Sequence, residues 1–566
     1  MFDADTIEKA QARMESRRAM IDSECAEAAA MLLPEGGDYN VRYRQEGVAT
    51  SHLVYDDYCG EAFQDGVSVF EGFTMPRGQK WQKTRLDDET LMADVENLRW
   101  LERVDDRVFA LRQDPKSGFV ANVHASAESL MAGWGQSMWI DKRFDHQGRF
   151  EGLSYQSEDV AGVWIERDAA GNVIRIHRMI LLTAEQVVRK WPDKAPKAAR
   201  DAMGLSGNSS QPRPETELEI IHVIERNPRV LPGRIDAAGM PWGGAYYCRQ
   251  GKEVFEVGGY RTLRRIVSSF QRKAGRDYGR GPGLRLLRAL RACQVMMQDR
   301  IIATERAVFR PMLAVDDDLD EAIIDLSRDG VTYGAIDEMG RRRIEALYDA
   351  PNLSDAAALH AELRQVIDKG FFRDLLQLHR EMKTHVSATR IMEEIAEKGV
   401  LLAPLASQEQ EWFSPMLDVE LDLMWEEGML DDMPDGLRQY FAEGGTKRIV
   451  YANPLRQMML AQEAAGFLRT AEQVATLAPF DPNAVEDFKR EYPSRKVIPG
   501  LGEANGIPAR WRSTEDEKAA MDEAAAQDKL LAQMTQAAPA LAGAAKDMAQ
   551  AGAIGGAGGG GMGFGA

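Results

Sequence analysis

The chain has 566 residues, 44% of them hydrophobic, and a formal net charge of −19 at pH 7. Such a length supplies several packed units with real cores, which excludes a small scaffold stapled by disulfides. The acidic excess excludes general charge-driven binding of nucleic acid, because that affinity rests on cations displacing condensed counterions, so any DNA contact has to be local or weak.

Cys25, Cys59, Cys248 and Cys293 lack CxxC or CxxH spacing, which fits buried thiols in a reducing compartment rather than a zinc site or a disulfide framework. There is no uninterrupted apolar run of about 18 residues, and the N-terminus is acidic and amphipathic, so neither a membrane span nor a signal peptide is expected.

Residues 4 to 33 carry no Gly or Pro and are rich in Ala, Glu and Arg, which predicts a helix closed by Pro34-Glu35-Gly36-Gly37. Helical zones follow over about 88 to 112 and over 118 to 139, the latter carrying Phe119, Val123, Leu130, Met131 and Trp134. The period then changes. Residues 160 to 182 alternate around an Ala-Gly-Asn turn, 216 to 227 alternate again, and 245 to 260 read as two short strands around Gln250-Gly251, which predicts an antiparallel sheet. The polar stretch 206 to 214 between them reads as a loop.

After the sheet, helices dominate, so the expected class is α+β. Residues 284 to 309 space Leu286, Leu290, Cys293, Met297, Ile301 and Val308 as one apolar stripe. Residues 310 to 350 are mixed, with an acidic run at Asp316-Asp317-Asp318. A helix over 354 to 382 starts at a Ser354 cap and is interrupted by Gly370, where a bend is expected. Residues 383 to 390 break the periodicity before a helix to about 398, and an amphipathic helix is predicted over 406 to 428 despite Pro415. From Ser513 an Ala-rich helix begins, and nine glycines in the last 16 residues make a core impossible there.

The stretch from Tyr278 through Gly279, Arg280, Gly281, Pro282 and Gly283 raises the question of a phosphate-cradling loop. A P-loop needs GxxxxGK[ST], yet Leu284-Arg285-Leu286 follows the glycines, and a dinucleotide fold needs GxGxxG inside a parallel βαβ unit. The residues fit a tight turn into a helix, with Pro282 in its first turn. No HExxH motif occurs, His379 and His385 straddle a predicted break, and no Gly-x-Ser-x-Gly elbow is present. Neither a catalytic centre nor a metal or cofactor site is nominated, so no enzyme is expected. A Walker lysine or clustered metal-binding carboxylates would be needed for a terminase or nuclease.

Against the acidic background, residues 261 to 310 hold 12 Arg and one Lys against Asp277, Asp299 and Glu305. Arg276, Arg285, Arg288 and Arg291 belong to this block. Ion pairing within or between subunits, DNA contact and an acidic partner protein all remain open, with pairing preferred because the acids elsewhere must be balanced.

Several stretches resemble the head-to-tail connecting, or portal, proteins of short-tailed bacteriophages: SGFVANVHASAESLMAGWGQSMWID (117 to 141), VIRIHRMILLTAEQVVRKW (173 to 191), EIIHVIERNPR (219 to 229) and EVGGYRTLRRIVSSFQRKAGRDYGRGPG (256 to 283). HVSATRIMEE (385 to 394), SPMLDVELDLMWEEGML (414 to 430) and VYANPLRQMMLAQE (450 to 463) continue it, so the resemblance runs from about 90 to 475. One departure is Arg261-Thr262-Leu263, where the family usually has a proline shortly after Gly-Gly-Tyr.

The resemblance implies a portal-type fold and a ring of about twelve copies at one capsid vertex, through which double-stranded DNA is packaged and ejected without sequence specificity. It implies N-terminal helices and an antiparallel wing over 1 to 283, a stem helix over 284 to 309, a clip over 310 to 350 and a second stem helix over 354 to 382. A tunnel loop over 383 to 390 would offer Lys383, His385, Ser387 and Arg390, wing and crown helices would occupy 391 to 512, and 513 to 566 would be the crown helix and tail. Tyr278 to Gly283 would be the stem hinge. Implied partners are major capsid and scaffolding proteins, the terminase large subunit and tail adaptors, with the protein in the host cytoplasm during assembly and then in the virion. The alternative is an acidic internal capsid or scaffolding protein, which would need neither the sheet nor rings.

Overall fold

The structure, a computed structural model, describes residues 2–34, 39, 54–78, 80–206, 211–308, 312–314, 339–341, 344–346, 353–374, 407–451, 454–477, 479, 483–504, 511–513 and 517–529. In chain order it forms α1 (Ala4–Leu32), α2 (Tyr58–Thr74), β1 (Gln82–Leu86), α3 (Glu89–Ala93), α4 (Val95–Gln113), α5 (Phe119–Ala132), β2 (Gln136–Phe144), β3 (Phe150–Glu158), β4 (Val163–Arg167) and β5 (Val173–Thr183). Next come α6 (Ala184–Lys190), α7 (Lys197–Ala202), β6 (Glu217–Arg226), β7 (Trp242–Cys248), β8 (Glu253–Tyr260), β9 (Arg265–Ser268), α8 (Pro282–Val308), β10 (Met312–Ala314), β11 (Ile344–Ala346) and α9 (Leu353–Gly370). A π-helical turn (Glu409–Phe413) leads into α10 (Ser414–Glu426), followed by α11 (Asp435–Ala442), β12 (Lys447–Tyr451), α12 (Pro454–Leu477), α13 (Ala484–Glu491) and α14 (Ser494–Ala504). The mixture of helices and antiparallel strands is an α+β fold. Among the described residues, no helix is long and apolar enough to cross a membrane.

Two compact units arise, one comprising Met1–Gln82, Asp106–Leu430 and Tyr451–Met458, the other Lys83–Asp105, Asp431–Val450 and Met459–Ala566. The first is built on a five-stranded antiparallel sheet in the order β4-β5-β6-β7-β8 and a three-stranded sheet β3-β2-β9. Alternation along β6 explains how the larger sheet is covered on both faces, since successive side chains point to opposite sides. Leu218 and Ile220 pack with Ala184, Val187, Trp191 and Ala199 of the α6–α7 region, while Ile221 and Val223 meet Ile7 of α1.

Asp3 caps α1 by accepting a hydrogen bond from the Thr6 amide at 3.3 Å. Its buried positions Ile7, Ala10, Met14, Arg18, Cys25, Ala28 and Leu32 recur at spacings of three, four and seven, the mark of one covered helix face. Arg18 is 2% exposed, donates to the Val160 carbonyl at 3.0 Å and to the carbonyls of Ala161 and Val163, and lies 4.3 Å from the Trp164 ring centroid. One guanidinium therefore satisfies the turn that enters β4, where unpaired buried carbonyls would be costly. Beyond it, Cys25 and Ala28 join Trp134, Val163, Ile176, Tyr278, Leu284 and Leu287 in a shared core.

The predicted hairpins form as expected around residues 168–172 and 249–252; Asp168 closes the first by accepting from the Asn172 amide at 2.8 Å. Four expectations change. The helix expected over 118 to 139 stops at Ala132, capped at Gly133, and Gln136–Phe144 is strand, because Gly133 and Gly135 break the helix before an alternating Met138-Trp139-Ile140 run. The zone 88 to 112 is two helices separated at Asp94, whose backbone is extended. The second long helix closes at Gly370, where an interruption with a bend was expected, and Phe372 follows at φ +63; residues 375–382 lie outside the described residues. A Cβ at 370 would meet the Leu286 side chain at 2.4 Å, so the glycine permits close approach of α8 and α9. Finally, the expected α8 stripe is only partly covered: Leu290 and Cys293 are buried, Leu286 and Met297 half-buried and Ile301 exposed.

Pro415 lies where the π-helical turn passes into α10, and the helix continues through it to Glu426, the wider turn before it accommodating a residue without an amide hydrogen. At the ends of the mixed segment, β10 and β11 pair antiparallel, Met312 opposite Ala346 and Ala314 opposite Ile344. The acidic run, residues 383–390 and the helix expected to about 398 lie outside the described residues, as does the Gly-rich end; residues 517–529 are helical.

In the second unit, β1 pairs with β12. Asp105 accepts from the Thr84 amide at 3.1 and 3.0 Å and from its hydroxyl at 2.7 Å, while Trp100 donates its indole N–H to the Asp431 carbonyl at 3.2 Å. Phe467, Phe488 and Tyr492 form an aromatic cluster with centroids 5.0 to 5.9 Å apart.

Candidate functional site

The residues from Tyr278 to Gly283 come together at the entry to α8. Tyr278 is buried against Trp134, ring centroids 4.9 Å apart and edge-on, and its hydroxyl accepts from the Ile165 amide at 3.1 Å and lies 3.3 Å from the Ile165 carbonyl. Burial pushes its phenol up to about 12, so it stays neutral at physiological pH. This ring ties the entry of α8 to β4.

The three glycines serve packing. None has a left-handed φ. A Cβ on Gly279 would meet Ser269 at 2.6 Å, one on Gly281 the Leu130 carbonyl oxygen at 2.5 Å, and one on Gly283 the Ala132 carbonyl oxygen at 2.7 Å. The chain thus runs across the last turn of α5, with the Gly281 amide donating to the Gly133 carbonyl at 2.8 Å. A helix C-terminus presents carbonyl oxygens and the negative end of the peptide dipoles, the opposite of what a phosphate needs. Pro282 opens α8, its fixed φ suited to a first helical turn.

The basic block is largely paired inside the chain. Arg265 and Glu158 are 1% and 0% exposed and 2.7 Å apart, and Arg178 joins the same carboxylate at 2.6 Å. Burial opposes the charge on Glu158, yet Arg265 and Arg178 outweigh it and hold the carboxyl below the usual range. Arg264 pairs with Asp141 at 2.8 Å, Arg261 with Asp422 at 3.7 Å, Arg272 with Glu411 at 3.6 Å, Arg280 with Glu24 and Arg291 with Glu27. Arg285 donates to the Gln271 side chain at 3.0 Å. Arg276 and Arg288 have no acidic partner among the described residues. Lys383, His385, Ser387 and Arg390 lie outside those residues.

One cluster escaped the sequence reading because its members are remote along the chain. Asp56, Cys293 and His360 bring potential ligand atoms within 4.8 Å of one another, all buried. His360 Nδ1 accepts from Arg300 at 3.1 Å, which leaves Nε2–H to donate to Asp56 Oδ2 at 2.9 Å. Cys293 donates to the same oxygen at 3.2 Å, and its thiol is pushed up by neighbouring Cys59 and by burial, away from the thiolate a metal requires. Arg364 takes both Asp56 oxygens, at 2.8 and 3.0 Å. Donor set and cations together describe a hydrogen-bonded knot tying residues 55–59 to α8 and α9.

The model of the family described as bacteriophage head to tail connecting protein matches residues 4–511 of the chain. No curated protein matches it.

Proposed function

Because the chain belongs to the bacteriophage head to tail connecting protein family, we propose that it is the portal: copies close into a ring of about twelve at one capsid vertex, leaving an axial channel for DNA. Membership implies association with capsid and tail at the head–tail junction and a place in the virion. The finer reading is that DNA is packaged and ejected through the channel, that the terminase large subunit and tail adaptors dock on the ring in turn, and that the chain supplies no catalysis of its own.

The observation that carries this reading is the match over residues 4–511, which takes in every element from α1 to α14. The geometry of α8 and α9 supports it. A helix of 27 residues spans about 40 Å, and β10 and β11 return the chain beside its far end, so α9 can run back along α8. On this pair Val295, Ile301, Leu359 and Val366 are 42 to 54% exposed. Aliphatic side chains left open on two packed helices are accounted for by neighbouring copies in a tube wall.

In this reading 1–283 is the wing, α8 and α9 the stem, 310–350 the clip and 383–390 the loop nearest DNA. A net charge of −19 keeps the conduit from gripping its cargo, since each neutralised phosphate would add affinity. Negative-stain imaging of the purified full chain is the test: washer-shaped rings with a central hole are expected, and monomers or filaments at all concentrations overturn the proposal. Nucleotide hydrolysis by the purified chain would overturn the non-catalytic part alone.

A further inference from the structure

A cleft of about 840 Å³ opens between the β4–β5 turn and the loop 272–278. Its charge is the reverse of the chain's. Arg17, Arg167, Arg272, Lys273 and Arg276 line it with two carboxylates, Asp168 and Asp277, while Glu411, outside the lining, stands 3.6 Å from Arg272. Asp168 is engaged by its own turn, accepting from the Asn172 amide at 2.8 Å and its side-chain amide at 3.2 Å. Asp277 stands 3.7 Å from Arg17.

Two of the arginines converge on one acceptor. Arg167 Nη1 donates to the Gly171 carbonyl at 3.0 Å and Arg272 Nη1 donates to the same oxygen at 3.1 Å. Arg167 Nε is spent on the Asp277 carbonyl at 3.2 Å, and its Nη2 is buried without a partner. Burial, followed by the charge of Arg272, pulls the Arg167 pKa below its ordinary value. Lys273 and Arg276 have no side-chain partner among the described residues. Asp277 and Glu411 offset part of this charge, and the unpartnered Arg167 Nη2, Lys273 and Arg276 leave an excess of donors that a further anion would satisfy.

We propose that this cleft binds a ligand carrying two or more phosphate groups. A carboxylate offers two coplanar oxygens and satisfies one guanidinium side-on, whereas a phosphate presents its oxygens tetrahedrally and can accept from several arginines at once. The cleft is also larger than one such group needs. Recognition is through phosphate alone, because the one aromatic lining it, Tyr278, is buried and edge-on to Trp134 and offers no face for a base to stack on. Gly171, at φ +89, admits the arrangement, since a Cβ there would come within 3.0 Å of Arg272 Nη1.

The inference is independent of ring formation and is tested on the full chain by calorimetric titration with tripolyphosphate. Saturable binding that falls about tenfold or more in the double variant Lys273→Gln/Arg276→Gln supports it. Those side chains hold nothing else, so the fold, checked by circular dichroism, is retained. Arg167→Gln is the second variant and should lose binding similarly. No saturable binding, or equal binding in the double variant, overturns the proposal. Once binding is established, a mixed-sequence oligonucleotide that displaces tripolyphosphate identifies a nucleic-acid backbone as the source, and failure to displace it identifies a free oligophosphate. Displacement by polyglutamate at equal or lower concentration overturns the phosphate assignment in favour of an acidic peptide.

Discussion

Arg265 and Arg291 stand at two ends of one basic stretch and meet their acids in opposite settings. Arg265 and its partner Glu158 are 1% and 0% exposed, inside the three-stranded sheet and next to His222, whose Nδ1 lies 3.0 Å from Arg265 Nη2. Arg291 and Glu27 are 52% and 34% exposed where α8 passes α1. Solvent screens the second pair, leaving it little weight in stability. The first has given up hydration that buried neighbours replace, Glu158 for Arg265 and both Arg265 and Arg178 for Glu158, so losing Arg265 leaves the buried carboxylate with one guanidinium instead of two. Equal chemistry along a sequence therefore carries unequal consequences, and depth decides which arginines hold the fold together and which are available to neighbours.

The largest effect expected from breaking this contrast is at the buried end. Arg265→Ala should lower stability by about 3–5 kcal/mol, seen as an earlier urea midpoint for the first unfolding transition; a midpoint equal to wild type would mean that Glu158 finds solvent. Gly281→Ala comes next, at about 1–3 kcal/mol, because its methyl would overlap backbone oxygens that cannot rotate away.

Acid should act through the same interior. Burial, with Arg175 nearby, lowers His177 to about 3, and burial with Arg265 holds His222 well below its ordinary value. Both are neutral in the folded state, so the unfolded chain binds protons first as pH falls. Stability contributed by each is complete above about 6.5 and declines by about 1.4 kcal/mol per pH unit below it. Glu158, likewise lowered but held in its charged form, keeps its contribution until the pH falls below about 4.3, the ordinary glutamate value. Melting temperatures that stay level from pH 7.5 to 5 would contradict the histidine part.

The smallest effect on stability belongs to Arg280→Glu, whose partner Glu24 is 36% exposed. Ring formation is the sharper readout there. We expect Arg280→Glu to impair assembly, and pairing it with Glu24→Arg separates the roles: restored rings place the function of Arg280 within one chain, and continued failure places it between copies.

Much of the fold was legible because the patterns were local. The β4–β5 and β7–β8 hairpins announce themselves by alternation around Asp168–Asn172 and Gln250-Gly251, and α1 by an uninterrupted helical run. Helix α2 was not expected, and its glycines Gly60, Gly66 and Gly72 lower its intrinsic helix propensity. Yet a Cβ on Gly66 would meet the Phe371 carbonyl oxygen at 2.6 Å, so that glycine admits a neighbouring turn. The stretch Tyr278–Gly283 was legible as a turn into a helix, whereas its contact with the carbonyls of α5 could not be read from spacing. Partners of the basic block sit far off in sequence, at Glu24, Glu27, Asp141, Glu158, Glu411 and Asp422, and only folding brings them to the arginines. The Asp56–Cys293–His360 cluster was illegible for the same reason.

The short ribbon of β10 and β11 makes the chain leave and rejoin the helical pair at a single doorway. The ladder holds Met312–Ala314 against Ile344–Ala346, so backbone hydrogen bonds fix the point where the chain has left α8 beside the point from which it heads into α9.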